Sequence, residues 1–175
     1  MIFVLFMSSN NRLLILKNKY TLKCEEFYFR CSIGKKGLSL KKKEGDNKTP
    51  KGIFKLGDLF YRKDRVKKPN TILKCKPINN NMGWCNNIYD NKNYNKLINI
   101  KKVYKYEKLY RRDYKYDYLI PIHYNTKKRK MGKGSAIFIH LTKDYKSTAG
   151  CIALKKKDFL ILLKLINKSS HINIS

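Results

Sequence analysis

Apolar residues in this chain arrive in short runs rich in β-branched and aromatic types, and that rhythm constrains the fold more than any other feature. "RLLILKN", "FYFRCSIG", "IFKLGDLFY", "YDYLIPI", "SAIFIHL" and "HINIS" each have strand character, with turn-forming residues between them. One segment departs from the pattern. In "KKKDFLILLKLINK" the residues Phe159, Leu160, Leu162, Leu163 and Ile166 recur at helical spacing, which predicts one amphipathic helix near the C-terminus. At the start, "MIFVLFM" and "RLLILKN" are split by "SSNN", which predicts an opening β-hairpin. "EGDNKTPKG" is a turn signal of Gly, Asp, Asn and Pro. Residues 75–103 are polar and turn-rich, so a long surface loop with one aromatic anchor, Trp84, is expected there. No internal repeat or long linker divides the 175 residues, and one domain over 1–175 is expected. The fold class expected from these runs is mainly β with a C-terminal helix.

Charge is the most extreme global feature: 41 Lys and Arg against 12 Asp and Glu, a formal net charge of +29. Such a balance invites a polyanionic partner, whether nucleic acid, anionic membrane or acidic wall polymer. Tyr104, Tyr106, Tyr110, Tyr114, Tyr116 and Tyr118, interleaved with Lys and Arg, could stack on bases, but core and rim tyrosines of a β-protein account for them as well. Arginine, the bidentate reader of phosphate and guanine, is scarce beside lysine. Joint enrichment in Lys, Asn, Ile and Tyr is also what an AT-rich genome produces at tolerant surface positions, so nucleic acid is not expected as the physiological partner. A hydrophobic fraction of 42%, with 13% aromatic residues, excludes a disordered basic tail. The first residues lack a basic n-region and a small-residue cleavage site, and no apolar run is long enough to span a bilayer. Cys24, Cys31, Cys75, Cys85 and Cys151 form an odd set without C-x-x-C, and His123, His140 and His171 show no zinc spacing. Neither a metal nor a cofactor is expected, and most of the thiols read as buried free cysteines.

Chemistry concentrates in "GSAIFIHLTKDYKSTAGCIALKKKDF". His140 closes an apolar strand, and Cys151 follows the flexible turn "KDYKSTAG". Gly150 permits a backbone conformation that other residues resist, which would let amides near Cys151 face a developing oxyanion. An imidazole beside a thiol can lower its pKa and shuttle its proton, the minimum apparatus for acyl transfer. On this local pattern alone, two packed bystanders are the simpler reading.

The wider pattern shifts that balance. "IFIHLTKDYKSTAGCIAL" resembles the signature of the L,D-transpeptidase catalytic-domain (YkuD-type) family, a strand-borne His followed by S/T-x-G-C and an apolar residue; His140, Thr148, Gly150 and Cys151 match it. Thr49, Pro50, Gly52 and Phe54 in "GDNKTPKGIF" are similar to the family's T-P-x-G-x-F segment. "GWCNN", "YNKLI", "YEKLYRRDYKYD" and "GKGSAIFIH" resemble a proteobacterial branch, so the motif-bearing part runs over about 31–165. The resemblance implies a β-sandwich of mixed sheets and a peptidoglycan transpeptidase. Cys151 would be the nucleophile, His140 the acid/base, the amides of Gly150 and Cys151 an oxyanion site, and Thr148 or a backbone carbonyl beside it the group orienting the imidazole. The bond attacked would join a diamino acid at stem position three to D-Ala, and a second stem's amine would resolve the thioester as a 3→3 cross-link. Peptidoglycan stem peptides are the implied partners, carbapenem-type compounds the implied inhibitors, and the periplasm or cell envelope the implied location, by an export route left open.

Two positions depart from the family: Ala149 stands where many members carry His, and Ala153 where Arg or Asn is frequent. Trp84 and Cys85 are candidates to line the substrate groove, with a small packed residue as the plainer reading of Cys85. Arg111 and Arg112 are candidates for a stem-peptide carboxylate, Arg112 being better read as solvated. Two alternatives stay open: an L,D-carboxypeptidase in which water resolves the acyl-enzyme, and a non-enzymatic basic polyanion-binding module.

Overall fold

A computed structural model of the protein describes residues 12–40, 42–102 and 105–175. The first arm of the expected hairpin, "MIFVLFM", and Tyr104 lie outside the described residues. The strands are β1 (Leu13–Asn18), β2 (Thr21–Cys24), β3 (Phe27–Ser32), β4 (Leu38–Ser39), β5 (Thr49–Pro50), β6 (Gly52–Lys55), β7 (Leu59–Tyr61) and β8 (Cys75–Pro77). They continue as β9 (Met82–Cys85), β10 (Leu97–Asn99), β11 (Tyr106–Lys108), β12 (Tyr118–Pro121), β13 (Phe138–Leu141), β14 (Ile152–Leu154) and β15 (His171–Ile174). One helix, α1 (Lys156–Leu165), follows β14.

Ten strands form a mixed sheet in the order β6-β15-β1-β2-β3-β14-β13-β12-β7-β8. Pairs β1–β15, β13–β14 and β7–β8 are parallel and the rest antiparallel. β3 is the shared strand: Phe27–Arg30 pair with β2, and Cys31 and Ser32 pair with β14. The sheet curls about this strand until Leu56, just past β6, bridges Ile122, just past β12. The mainly β fold of mixed, curled sheets with one C-terminal helix is therefore the one expected.

Side-chain alternation sorts the strands. Leu14 and Leu16, Leu22 and Cys24, Phe29 and Cys31, Ile139 and Leu141, Ile152 and Leu154, and Ile172 and Ile174 all face one main core. Phe159, Leu162 and Leu163 of α1 fill the same core with no exposed surface. The helix carries Asp158 in its first turn and Lys164 in its last, both favourable to its dipole.

Two expectations need correction. Residues 75–103 are not one surface loop, because they supply β8, β9, β10 and a 3-10 turn, Ile100–Lys102. β9 is the central strand of a three-stranded sheet, β10-β9-β11. Gly83 lies within this strand, and a Cβ there would meet Ile100 Cγ2 at 2.6 Å and Tyr106 Cδ2 at 2.9 Å. The glycine allows neighbouring side chains to cross over the strand. "IFKLGDLFY" likewise divides, its halves entering the large sheet as β6 and β7 near opposite edges. The chain turns between them where Gly57 N–H donates to Pro121 O at 2.8 Å.

Because Phe159 is fully enclosed, Phe159→Ala is expected to cost about 3–5 kcal/mol in urea unfolding. Truncating its half-buried neighbour Leu160 is expected to cost clearly less in the same assay.

Candidate active site

The parallel pairing of β13 with β14 sets His140 opposite Ala153 and Ile139 opposite Ile152. Residues two apart on a strand share a face, so Cys151, two before Ala153, lies on the His140 side of the sheet. Ile139, Leu141, Ile152 and Leu154 take the main-core side. Phe138 and Cys151 join a second cluster with Phe60, Ile78, Trp84, Leu109, Tyr116, Leu119 and Ala136. Both faces of these strands are thus covered, as expected for near-continuous apolar runs such as "AIFI" and "CIAL".

Cys151 is 7% exposed. Its Sγ accepts from the Phe138 N–H at 3.3 Å and donates to Ala136 O at 3.4 Å. Burial pushes the thiol pKa well up, with Glu107 adding to the effect, while the Phe138 amide, Lys42 and Arg111 oppose it. His140 is 6% exposed, and burial pushes its pKa down to about 4 despite a bond from its ring to the Leu141 carbonyl. Nδ1 lies 2.8 Å from that carbonyl. A carbonyl can only accept, so Nδ1 carries the hydrogen and Nε2 is the basic nitrogen. The resting pair is therefore a neutral thiol and a neutral imidazole. The expected depression of the thiol pKa is absent because desolvation outweighs the neighbouring charges.

Tyr116 packs edge-on against both His140 (centroids 5.1 Å apart) and Phe138 (5.9 Å). Its hydroxyl donates to Glu107, whose carboxyl pKa is pushed up by burial against the lowering effects of Tyr116 and Arg111. The Arg111 guanidinium lies 5.0 Å from the Tyr116 ring centre and grips Asp113 through two bonds of 3.0 and 2.6 Å. Arg111 also lines a pocket of about 210 Å³ with His140, Thr148, Ala149 and Ala153. Lys115, Lys143 and Lys146 complete its cationic rim. Arg112 is exposed, and its carbonyl accepts from Arg65.

The groups around Cys151 are engaged with one another. Gly150 has φ +146, and a Cβ there would stand 2.8 Å from Lys48 O, so no other residue fits without a shift. Its N–H, one of the two amides expected at an oxyanion site, donates to Thr148 Oγ1 at 3.1 Å. Thr148 Oγ1 donates in turn to Cys151 O at 2.6 Å, so this side chain braces the cysteine turn; the carbonyl that orients the imidazole belongs to Leu141. Cys85 has no exposed surface and cannot line a groove in this conformation. Trp84 is buried against Phe138, with centroids 5.2 Å apart. It borders a different cavity, of about 370 Å³, with Phe60, Leu97 and His123.

Several supporting residues escaped the sequence reading. Asn95, with φ +55, accepts from Trp84 Nε1 (2.8 Å) and Ala136 N (3.1 Å) and donates to Tyr124 O and Asn125 O. It thereby fixes the carbonyl that receives the Cys151 thiol. Glu44 accepts from Tyr94 (2.6 Å) and Ser135 (2.8 Å), and Thr49 Oγ1 accepts from Gly34 N at 2.9 Å. Asn95 and Tyr94 lie in "YNKLI" and Thr49 in "GDNKTPKGIF", both segments that carry the resemblance, whereas Glu44 stands just before the second. Among the described residues no group of three or more His, Cys, Asp or Glu could hold a metal ion, and no helix is long and apolar enough to cross a membrane.

A mixed curled sheet bearing a cysteine and a histidine on one buried face defines the class of architecture, and comparison with known families supplies its membership. The model of the L,D-transpeptidase catalytic domain, YkuD, matches residues 3–174, and the chain belongs to that family. Its members are acyltransferases that act on peptidoglycan peptides, typically at the cell envelope. No curated protein matches the chain, and no solved structure does.

The depressed His140 pKa has a consequence for stability. Folded, the imidazole titrates at about 4 rather than 6.5, so between these values the unfolded chain binds more protons. Its contribution is present above pH 6.5 and is lost as pH falls through 4, roughly 3 kcal/mol in full. Urea unfolding at pH 7 and pH 4 is expected to show a larger acid loss for the wild type than for His140→Gln, by about that difference.

Proposed function

We propose that the protein is a peptidoglycan L,D-transpeptidase working through an acyl-enzyme on Cys151. The observation that supports this reading is the β13–β14 register, which puts Cys151 on the sheet face of His140, the residue that lines a cation-rimmed pocket together with Thr148 and Ala149 of the cysteine turn. His140 Nε2 takes the thiol proton, and Sγ attacks the carbonyl of the diamino acid at stem position three. The Cys151 amide supports the oxyanion. The C–N bond to D-Ala breaks, the imidazolium protonates the departing amine, and a thioester remains. The side-chain amine of a second stem attacks the thioester, gives a proton to Nε2 and forms the 3→3 link; the proton returns to Sγ. Arg111, with Lys115, Lys143 and Lys146, suits the carboxylates of the stem. The same pocket, open at Ala149 and Ala153, leaves room for water as an alternative resolving nucleophile, which would make the enzyme an L,D-carboxypeptidase. A cell-envelope location follows from this substrate.

Intact-protein mass spectrometry after carbapenem exposure is expected to show one adduct that Cys151→Ala abolishes. An adduct that survives the substitution would remove Cys151 from the chemistry. With tetrapeptide muropeptides, cross-linked dimers together with released D-Ala are expected, and tripeptide alone would assign hydrolysis. His140→Ala is expected to lower turnover at least about 10²-fold.

A further inference from the structure

The "KKKEGDNKTP" segment places a lysine where few proteins tolerate one. Lys42 is 4% exposed, and a buried ammonium needs a fixed partner. Asp46 supplies it at 2.7 Å. That carboxylate also accepts from the Lys43 and Lys48 amides, both at 2.9 Å. Burial would raise the Asp46 pKa, but these three donors together hold it below the usual carboxylate value. The aspartate is therefore a pinned anion that fixes the lysine tip.

That tip lies against the nucleophile's own turn. The Lys42 stem fills the space over Gly134, where an added Cβ would stand 3.0 Å from Cδ and Cε. Its Nζ reaches Gly150, where an added Cβ would stand 3.5 Å away. Both glycines have positive φ, +98 and +146. Two cations act on Cys151, Lys42 and Arg111, each paired with one aspartate, and Lys42 is the one whose tip lies against Gly150. Glu107, from β11, is a carboxyl held by Tyr116, and His140 is neutral at neutral pH. In a site whose burial disfavours a thiolate, an ammonium fixed behind the turn is a counterweight, and its depth limits screening by salt.

We propose that Lys42 is a positioning residue of the acyl-transfer site: clamped by Asp46, its ammonium stands behind the Gly150–Cys151 turn and supports the negative charge that forms there. The proposal rests on Cys151 being the nucleophile. It assigns an electrostatic task to Lys42, just before the family-like segment "GDNKTPKGIF", and to Asp46 within it. The same charge would act on the thiolate and on the oxyanion that follows it.

The test is alkylation of Cys151 by iodoacetamide at pH 8, followed by peptide mapping, with thermal melts to confirm folding. Below the thiol pKa, each unit of upward shift slows the reaction about tenfold. Lys42→Met is expected to slow it about tenfold or more, and Lys42→Arg to stay within about threefold of wild type. The double variant Lys42→Met with Asp46→Asn leaves no unpaired carboxylate and is expected to be as slow as Lys42→Met. A folded Lys42→Met or double variant reacting at the wild-type rate would overturn the proposal. So would a Lys42→Arg variant as slow as Lys42→Met, or loss of cooperative melting in all three, either of which would reduce Lys42 to a packing role. Alkylation needs no peptidoglycan, so the result stands apart from the muropeptide assay: failure of turnover would sink the transpeptidase reading and leave the effect of Lys42 measurable.

Discussion

The site depends on one constraint, the parallel register between β13 and β14. His140 faces Ala153, and the strand period then puts Cys151 on the same side of the sheet. A slip of one residue would send His140 into the main core and Ile139 onto the other face. Both faces are buried, so such a slip would expose the sorting error to every neighbour at once. The two clusters thus lock the register from opposite sides, and the chemistry inherits its geometry from hydrophobic packing.

That packing sets the electrostatic state as well. Burial raises the thiol and lowers the imidazole, so the pair rests neutral. Cationic groups surround it. Lys42 sits behind the cysteine turn, Arg111 lies beyond Tyr116, and the lysines ring the pocket at Ala149 and Ala153. The small side chains at 149 and 153 line this pocket, and Arg111, Lys115, Lys143 and Lys146 border it. Part of the net charge of +29 is therefore concentrated at the pocket, which suits an acidic peptide; the rest is spread over the surface.

A polar scaffold holds these parts from behind. Asn95 bonds to Trp84, Ala136 and two carbonyls, while Glu44 and Asp46 collect donors from Tyr94, Ser135, Lys42 and two amides. These residues come from stretches that look like loops, because Asn, Asp and Gly are the usual turn formers. Here Asn95 is a buried hydrogen-bond hub, and Glu44 and Asp46 are half-buried ones. Asp46 finds its partners within four residues, as a turn aspartate does, whereas Glu44 and Asn95 bond to residues far along the chain, which local spacing does not show.

The strands around Leu14, Phe29, Ile120, Ile139 and Ile172, the helix around Phe159, and the motif of His140, Thr148, Gly150 and Cys151 were legible from the sequence alone. Each is a local property: a period of two, a period near 3.6, or a glycine where the backbone needs positive φ. The three-stranded sheet around Gly83, the full burial of Cys85 and the engagement of the Gly150 amide by Thr148 were not legible. Nor were the protonation of Cys151 and His140 and the arrival of Lys42 behind Cys151. Only the tertiary structure decided those, because desolvation, close approach and the pairing of buried charges depend on which distant residues meet, and a linear pattern carries no distance between its parts.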